Sequence, residues 1–372
     1  MTVVVYGATG WTGTKVAHAL ARRGVDLVVA GRSRGALERL ARELPGETAV
    51  AIAPLDDKRA LYFAVAGAQA LVNCAGPCVE SGPPLIEACL EARADYMDVS
   101  GEASYVDDVY GHYHGRAMRR GVTLCPAFAA KGALGDWGAQ LVAADLGAPH
   151  ELDDVGVAYA HGRREYFRPS VASVVSSAGQ GFFHGGGLAL RRLIVEREFA
   201  FPPPFGAGLA LRVPAAEDRS IRRHLRVREV GTYIALAPGD AINRPWAKLS
   251  RAALPIMPWI SRTLFSEWGR WHLRLYLPKP EASHGEDSFG VTVEARSGRN
   301  TGCIGLVTHD AYASTAEIVA LGVLRLLEGG RLEPGALAPS ELCDPASAVR
   351  ELERIGALRV YHYDHSHGGD YG

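Results

Sequence analysis

Residues 1–33, MTVVVYGATGWTGTKVAHALARRGVDLVVAGRS, decide the fold of this chain. Thr2–Tyr6 is a short β-branched run of the kind that forms a buried parallel strand. It leads into Gly7-Ala8-Thr9-Gly10-Trp11-Thr12-Gly13, a GxxGxxG loop, and then into a helical pattern over residues 14–23. A second apolar strand follows at residues 27–30. This order of strand, glycine-rich loop, helix and strand predicts a βαβ unit that binds a dinucleotide.

Each glycine of the loop has a separate physical task. Gly7 permits the tight turn, Gly10 lets the backbone approach a pyrophosphate, and Gly13 lets the helix pack against the strand. The helix N-terminus then offers unpaired N–H groups and the positive end of its dipole to the phosphates. The predicted cofactor contacts in this loop are Gly7, Thr9, Gly10, Trp11, Thr12 and Gly13.

The end of the second strand predicts which dinucleotide is bound. An acidic residue there would accept from the ribose 2′-hydroxyl of NAD and would repel a 2′-phosphate. This chain instead has Arg32 and Ser33, which suit a phosphate. We therefore expect the cofactor to be NADP(H).

Two later strand ends extend the predicted cofactor site. Asp56 follows the third predicted strand, and two interpretations stay open: it accepts from the adenine amine, or it caps the next helix. The loop after the fourth strand is expected to border the nicotinamide ribose or ring, because parallel sheets bind ligands at the carboxyl ends of their strands. Its predicted contacts are Asn73, Ala75, Gly76 and Pro77.

Composition narrows the class of protein. The 372 residues carry 22% charged side chains and a net charge of −1, so no global field attracts nucleic acid or anionic lipid. No apolar stretch is long enough to span a bilayer. The first strand begins at residue 2 and leaves no room for a signal peptide, so we expect a cytoplasmic protein. Six scattered cysteines without a CxxC pair predict free, mostly buried thiols.

The predicted fold class is α/β. A Rossmann-type doubly wound parallel sheet is followed by a second α+β domain and a C-terminal segment that returns to the first domain. The second domain is predicted from strand-like segments at 154–161, 225–235, 289–295 and 301–309. The predicted divisions are 1–130, 131–308, 309–360 with two helices, and a flexible tail over 361–372. His362, Asp364, His365 and His367 of that tail are not expected to hold a metal, and no metal site is predicted.

Five motifs together resemble the saccharopine dehydrogenase-like oxidoreductases, above all the short bacterial members and the trans-acting enoyl reductases. The motifs are GATGWTG, AGRS, VNCAGP, YMDVSGE and THDAYASTAEIVALGVLRLL. The resemblance implies an NADP-binding Rossmann domain with a smaller α+β domain. By position, it also implies cofactor roles for Gly7, Gly10, Gly13, Arg32, Asn73, Gly76 and Pro77.

One segment departs from the family pattern. Such proteins usually carry a glycine-rich turn of the type G-[FY]-D after the sixth strand, whereas this chain reads Ala127-Phe128-Ala129-Ala130-Lys131-Gly132. That turn should face the nicotinamide and the substrate. The change implies either an altered substrate or a lost activity.

Hydride transfer requires one proton donor beside the cofactor. The candidates are Asp98 and Glu102 after the fifth strand, Lys131 on the altered turn, and Tyr159 from the second domain. Structural roles are the alternative for three of them. Asp98 would cap the Gly101 turn, Glu102 would charge a helix start, and Tyr159 would be a core aromatic.

The substrate is the least determined part of the prediction. The tryptophan-rich segment 246–277 has three interpretations: an apolar substrate lid, a dimer surface, or a helix at a membrane surface. We expect an NADPH-dependent reductase of an activated enoyl C=C bond in a hydrophobic or acyl substrate. The sequence also allows a homodimer. Imine reduction of the saccharopine type, with Arg163, Arg164 and Arg168 holding carboxylates, is one alternative. A non-catalytic NADP(H) sensor or scaffold is the other.

Overall fold

The computed structural model describes residues 1–147, 151–162, 196–235, 289–328 and 333–363. They form two compact units. The first unit comprises Met1–Ala133 and Ala311–Ala357, and the second comprises Leu134–Asp310 and Leu358–Gly372. The chain therefore leaves the first unit, builds most of the second, returns to the first, and then adds residues 358–372 to the second.

The first unit contains a parallel sheet of seven strands in the order β13-β6-β5-β4-β1-β2-β3. The chain adds strands on one side of β1 (β2, β3) and then on the other side (β4, β5, β6). The position between β1 and β4 is therefore the topological switch point, where such sheets bind ligands. The strands are β1 Thr2–Tyr6, β2 Asp26–Gly31, β3 Ala49–Ile52, β4 Ala70–Asn73, β5 Asp95–Asp98, β6 Thr123–Cys125 and β13 Gly335–Ala336. The doubly wound sheet is confirmed, and its seventh strand was not predicted.

Helices alternate with these strands because each apolar helix stripe needs a sheet face to cover. They are α1 Trp11–Ala21, α2 Arg34–Glu43, α3 Lys58–Val65, α4 Cys78–Ala92, α5 Ala103–Asp108, α6 His114–Arg120, α9 Ala311–Leu327, α10 Pro339–Leu342 and α11 Pro345–Arg354. A π-helical turn, Val109–Tyr113, joins α5 to α6. The returning α9 packs on α1, and Glu317 of α9 bonds both Arg22 and Arg23. The predicted return of the C-terminal segment is confirmed.

The second unit is built on a mixed sheet in the order β14-β12-β11-β7-β10-β9-β8. Its strands are β7 Leu152–His161, β8 Glu196–Phe201, β9 Gly206–Val213, β10 Val227–Ala235, β11 Phe289–Ser297, β12 Asn300–Thr308 and β14 Arg359–His362. Among the described residues of this unit, two helices accompany the sheet: α7 Ala130–Asp145, which starts in the first unit, and α8 Glu217–His224.

The four strands predicted for this unit are present. The hairpin β8–β9 was missed, because its turn is the proline run 202–204, which interrupts any regular pattern. Tyr361 and His362, assigned to the tail from sequence, pair with Gly305 and Ile304 in β14.

All six cysteines are free thiols, as expected, and five of them are buried. Burial raises the pKa of Cys303 and Cys343 to about 12, so both remain protonated. They act as small apolar residues of the core.

Candidate functional site: a nucleotide-binding edge of the first sheet

The strand register aligns the ends of β1, β4 and β5 along the carboxyl edge of the first sheet, and two of these ends carry the predicted site residues Asn73 and Asp98. Tyr6, the last residue of β1, pairs with Asn73 of β4, and Asn73 pairs with Asp98 of β5. The loops that follow these strands therefore lie side by side. This is the edge where open parallel sheets bind ligands.

The glycine-rich loop after β1 is a tightly built cradle. Gly7 has φ of 71°, and a Cβ there would lie 2.8 Å from the backbone nitrogen of Ala75. A Cβ on Gly13 would lie 2.2 Å from the carbonyl oxygen of Gly7, so only glycine lets α1 approach the loop. The hydroxyl of Thr14 donates to the carbonyl of Ala8 at 3.0 Å and closes the loop from the helix side.

The N-terminus of α1 opens onto this cradle. Its N-cap is Gly10, which supplies no side-chain acceptor to the first N–H groups of the helix. Thr9 and Gly10 are exposed, and Trp11 and Thr12 are half-buried, with Lys15 Nζ 5.1 Å from the centre of the Trp11 ring. Backbone donors, a helix dipole and no blocking side chain fit the pyrophosphate of a dinucleotide.

Arg32 lies at the end of β2, the position predicted to meet the ribose. It is exposed, and it makes no hydrogen bond or ion pair with another residue of the described ranges. Ser33 is the N-cap residue of α2, but its side chain makes no capping hydrogen bond. The guanidinium and the hydroxyl are thus both available to an anion such as a 2′-phosphate.

Asp56 and Asp57 have different positions at the end of β3. Asp57 is the N-cap of α3, and its Oδ1 accepts from the Ala60 N–H at 2.9 Å. The interpretation of Asp56 as that cap is therefore wrong. Burial raises the pKa of the Tyr6 hydroxyl, the charge of Arg32 lowers it, and the charge of Asp56 raises it further.

The loop after β4 is fixed by Asn73, which is fully buried. Its Oδ1 accepts from the Ala75 N–H at 2.9 Å, and its Nδ2 donates to the Ser81 hydroxyl at 3.0 Å. Ser81 in turn donates to the carbonyl oxygen of Ala75 at 2.5 Å. Asn73 and Ser81 thereby hold Ala75 against Gly7, and with it the segment containing Gly76 and Pro77.

Asp98 is fully buried, and its carboxylate has three partners. Oδ1 accepts from the N–H groups of Ser100 at 2.9 Å and Ala127 at 3.0 Å, while Oδ2 accepts from the Tyr105 hydroxyl at 2.6 Å. The bond to Ser100 is the turn-capping role that sequence offered as an alternative. The bonds to Ala127 and Tyr105 join three separate segments.

Glu102 is also buried, at the N-cap position of α5. Its Oε1 accepts from the N–H of Cys78, the first residue of α4, at 3.0 Å, and its Oε2 accepts from the Gly101 N–H at 2.9 Å. Burial raises the pKa of this carboxyl above its ordinary value. Glu102 therefore stabilises the start of α4 rather than that of its own helix.

Lys131 is half-buried on the turn after β6. The turn keeps a left-handed conformation at Ala127, with φ of 60°, and at Gly132, with φ of 101°. A Cβ on Gly132 would lie 2.3 Å from the Ala127 carbonyl oxygen, so this glycine is required by space as well as by conformation. Residues 127–132 therefore form a compact turn although their sequence differs from the family pattern.

Tyr159 lies in the second unit, on β7. Its hydroxyl is buried and donates to Glu217 of α8, and its ring stacks on Phe289 at 5.6 Å between centroids. Beside Glu217, burial raises the pKa of Asp218 to about 7, while the Thr232 hydroxyl donates to it at 2.9 Å. Sequence reasoning missed this acidic pair, because it carries no recognisable motif.

Several sequence predictions fall outside the described residues: Arg163, Arg164, Arg168, segment 246–277, and Asp364, His365 and His367 of the tail. Over the ranges that the structure describes, no helix has both the length and the apolar character to cross a bilayer. The same ranges contain no group of three or more histidine, cysteine or acidic side chains arranged to hold a metal ion.

Comparison with known proteins assigns the first domain. Residues 3–125 match the family described as the saccharopine dehydrogenase NADP binding domain. A human saccharopine dehydrogenase-like oxidoreductase is 32% identical over 162 residues, which are 39% of this chain and 36% of the human protein. A Mycobacterium tuberculosis protein named as a trans-acting enoyl reductase is 37% identical over 134 residues, 34% of this chain and 31% of that protein. The chain thus matches about a third of the length of these relatives.

Two further similarities extend the comparison. A Caenorhabditis elegans protein named as a lipid droplet localized protein is 32% identical over 136 residues, 34% of this chain and 32% of that protein. The apo saccharopine dehydrogenase (L-Glu forming) of Saccharomyces cerevisiae superposes with a TM-score of 0.61 over 98% of this chain and 100% of the yeast chain, at 14% identity. Residues 3–125 are therefore similar to the saccharopine dehydrogenase NADP binding domain, in a chain that has the fold of saccharopine dehydrogenase.

Proposed function

We propose that this protein is an NADPH-dependent reductase that transfers hydride to the activated C=C bond of an enoyl group in a hydrophobic or acyl substrate. The observation that carries the proposal is Arg32, exposed and unpaired among the described residues at the end of β2. It stands where a 2′-phosphate would lie, in a domain of an NADP-binding family. The M. tuberculosis relative named as an enoyl reductase supports the choice of acceptor.

In this proposal, different residues around the glycine-rich loop bind different parts of the cofactor. Gly7, Gly10 and Gly13 admit the pyrophosphate, Arg32 and Ser33 hold the 2′-phosphate, and the loop fixed by Asn73 borders the nicotinamide. When bound, NADPH supplies a hydride, whose electron pair forms the new C–H bond at one alkene carbon. A proton from a protein donor or water then completes the other carbon, and the double bond is reduced.

Lys131 is the first choice for that donor. Asp98, Glu102 and Tyr159 are at most 2% exposed, so a substrate has little access to them. Lys131 is half-buried, on a turn that follows the sixth strand at the carboxyl edge of the sheet. An ammonium in that position can give a proton to a carbanion that forms beside the nicotinamide.

The proposal is tested by following NADPH oxidation with purified protein and trans-2-enoyl thioesters of increasing chain length. We expect oxidation that needs the enoyl acceptor, a product heavier by two hydrogens, and a large loss of turnover in Lys131→Met with NADPH binding retained. A mixture of an α-keto acid and an amine, which forms an imine, is the parallel acceptor. Turnover with the imine alone would replace the enoyl assignment, and NADPH binding without turnover of either acceptor would favour the sensor.

A further inference from the structure

A chain of buried hydrogen bonds links the carboxyl ends of β4 and β5. The Asn73 Nδ2 donates to the Tyr96 hydroxyl at 3.0 Å, and the Tyr96 and Tyr105 hydroxyls lie 2.9 Å apart. Tyr105 then donates to Asp98 Oδ2 at 2.6 Å. All four side chains are almost completely buried, so water does not compete for these bonds.

The donors and acceptors fix the direction of this chain. Tyr105 donates its hydroxyl proton to Asp98 Oδ2, so the Tyr105 oxygen is left to accept from the Tyr96 hydroxyl. The Tyr96 oxygen is then free to accept from Asn73. Burial, reinforced by the Asp98 charge, raises the pKa of both tyrosines well above the ordinary value, so both protons stay in place.

The ring of Tyr105 occupies a space that another helix leaves for it. A Cβ on Gly82, in the body of α4, would lie 2.3 Å from Cε2 and 2.4 Å from the hydroxyl oxygen of Tyr105. Glycine inside a helix costs about 1 kcal/mol relative to alanine. The glycine at position 82 therefore lowers the helix propensity of α4 but leaves room for the Tyr105 ring.

The two ends of this chain of hydrogen bonds hold the loop after β4 and the turn after β6. At one end, Asn73 Oδ1 accepts from the Ala75 N–H and orients the loop after β4. At the other end, Asp98 Oδ1 accepts from the Ala127 N–H, at the left-handed residue that begins the turn after β6. Under the proposed function, both loops border the nicotinamide half of the cofactor, whereas Arg32 and Ser33 hold the adenosine half.

We propose that Tyr105, seated over Gly82, is a positioning residue that locks the loop after β4 and the turn after β6 into one arrangement for the nicotinamide. This inference rests on the proposed function, because it takes NADP(H) as the ligand of the edge. Tyr105 does not touch the reacting atoms. It acts through Asp98 and, by way of Tyr96, through Asn73.

The test compares two ligands on the full chain. NADPH reports on both halves of the site, and adenosine 2′,5′-bisphosphate reports on the adenosine half alone. We expect Tyr105→Phe to weaken NADPH binding by about three- to tenfold, the range of one buried hydrogen bond. The variant should bind the bisphosphate with an affinity within about twofold of that of the wild type, because Arg32 and Ser33 take no part in the chain of hydrogen bonds.

Two further variants make the result decisive. Tyr113→Phe is the matched control, since Tyr113 is a buried tyrosine in the nearby π-helical turn whose ring contacts Arg116. It should leave the binding of both ligands unchanged. Tyr96→Phe interrupts the same chain and should reproduce the selective loss, which keeps the test valid if Tyr105→Phe does not fold.

Each remaining outcome contradicts the inference. Equal weakening of both ligands would show a general loss of structure, and unchanged NADPH binding in Tyr105→Phe and Tyr96→Phe would show that the chain holds nothing the nicotinamide needs. Failure of the wild-type protein to bind either ligand would instead overturn the proposed function, and the positioning role with it.

Discussion

The turn after β6 has the space and the backbone conformation for glycine only at residue 132, and a single substitution can measure this requirement. Gly132→Ala combines a left-handed φ of 101° with a contact of 2.3 Å to the Ala127 carbonyl oxygen. We expect it to lower the free energy of unfolding by about 3 kcal/mol, from conformation and overpacking together. Gly121→Ala is the control, since Gly121 has φ of 68° with nothing within 4 Å of a Cβ, and should cost about 1 kcal/mol. Equal losses in denaturant unfolding would contradict this view of the turn.

Asp218 predicts a pH dependence of stability. Burial raises its pKa from 3.8 to about 7, so the folded state holds this proton more tightly than the unfolded state does. Stability should therefore fall as the pH rises from about 4 to 7, by roughly 2 kcal/mol after allowance for solvent screening. Asp218→Asn removes this contribution and keeps an acceptor for Thr232. We expect unfolding midpoints at pH 5 and pH 8 to differ less in Asp218→Asn than in wild type, with the exposed Glu229→Gln behaving as wild type.

At the scale of elements, the packing of α9 on α1 depends partly on one carboxylate. Glu317 is 18% exposed and bonds Arg22 and Arg23 at the C-terminal end of α1. Glu317→Gln should destabilise the protein by about 1 kcal/mol at low ionic strength, and less at high salt. Glu38→Gln is the matched control, because its exposed pair with Arg34 at 3.6 Å should contribute only a few tenths of a kcal/mol. Indistinguishable melting temperatures for the two variants would show that α9 is held by apolar contacts alone.

The local pattern of apolar and polar residues predicted most strands of the first unit. The strand that it missed forms through pairing between residues far apart in the sequence. The six predicted strands are short apolar runs that alternate with helical patterns, and this order predicts the doubly wound fold. β13 has only two residues, and it forms because β6 offers an open edge, with His114 Nδ1 accepting from the outward Ala336 N–H at 3.1 Å. The π-helical turn Val109–Tyr113 lies between α5 and α6, and no residue pattern in the sequence predicts it.

In the candidate site, too, the features within one contiguous motif were predicted from the sequence, and the long-range contacts were not. The glycine-rich loop and Arg32 follow from a contiguous motif, because their tasks depend on one βαβ unit. The link between Asp98 and Ala127 joins residues 29 apart in sequence, and that between Asn73 and Tyr96 joins residues 23 apart. Such partners become visible only when the strand register is known.

At the scale of the molecule, the first unit depends on a segment that follows the second unit in sequence. Residues 311–357 supply α9 against α1 and the edge strand β13. We expect residues 1–133 alone to remain largely unfolded by circular dichroism, and the same residues joined to 311–357 through a flexible linker to fold and bind NADPH. Native-like folding and NADPH binding by 1–133 alone would show that the returning segment is dispensable.

The most direct test of the account is a titration of the full protein with NADPH and with NADH, followed by energy transfer from its tryptophans. We predict tight binding of NADPH, binding of NADH weaker by about tenfold or more, and loss of that preference in Arg32→Ala, because the proposed function assigns the 2′-phosphate to Arg32. Glu38→Gln, on the neighbouring helix α2, should keep the preference. Equal affinity for the two cofactors in the wild-type protein, or a preference that survives in Arg32→Ala, would contradict the assignment of the 2′-phosphate site to Arg32.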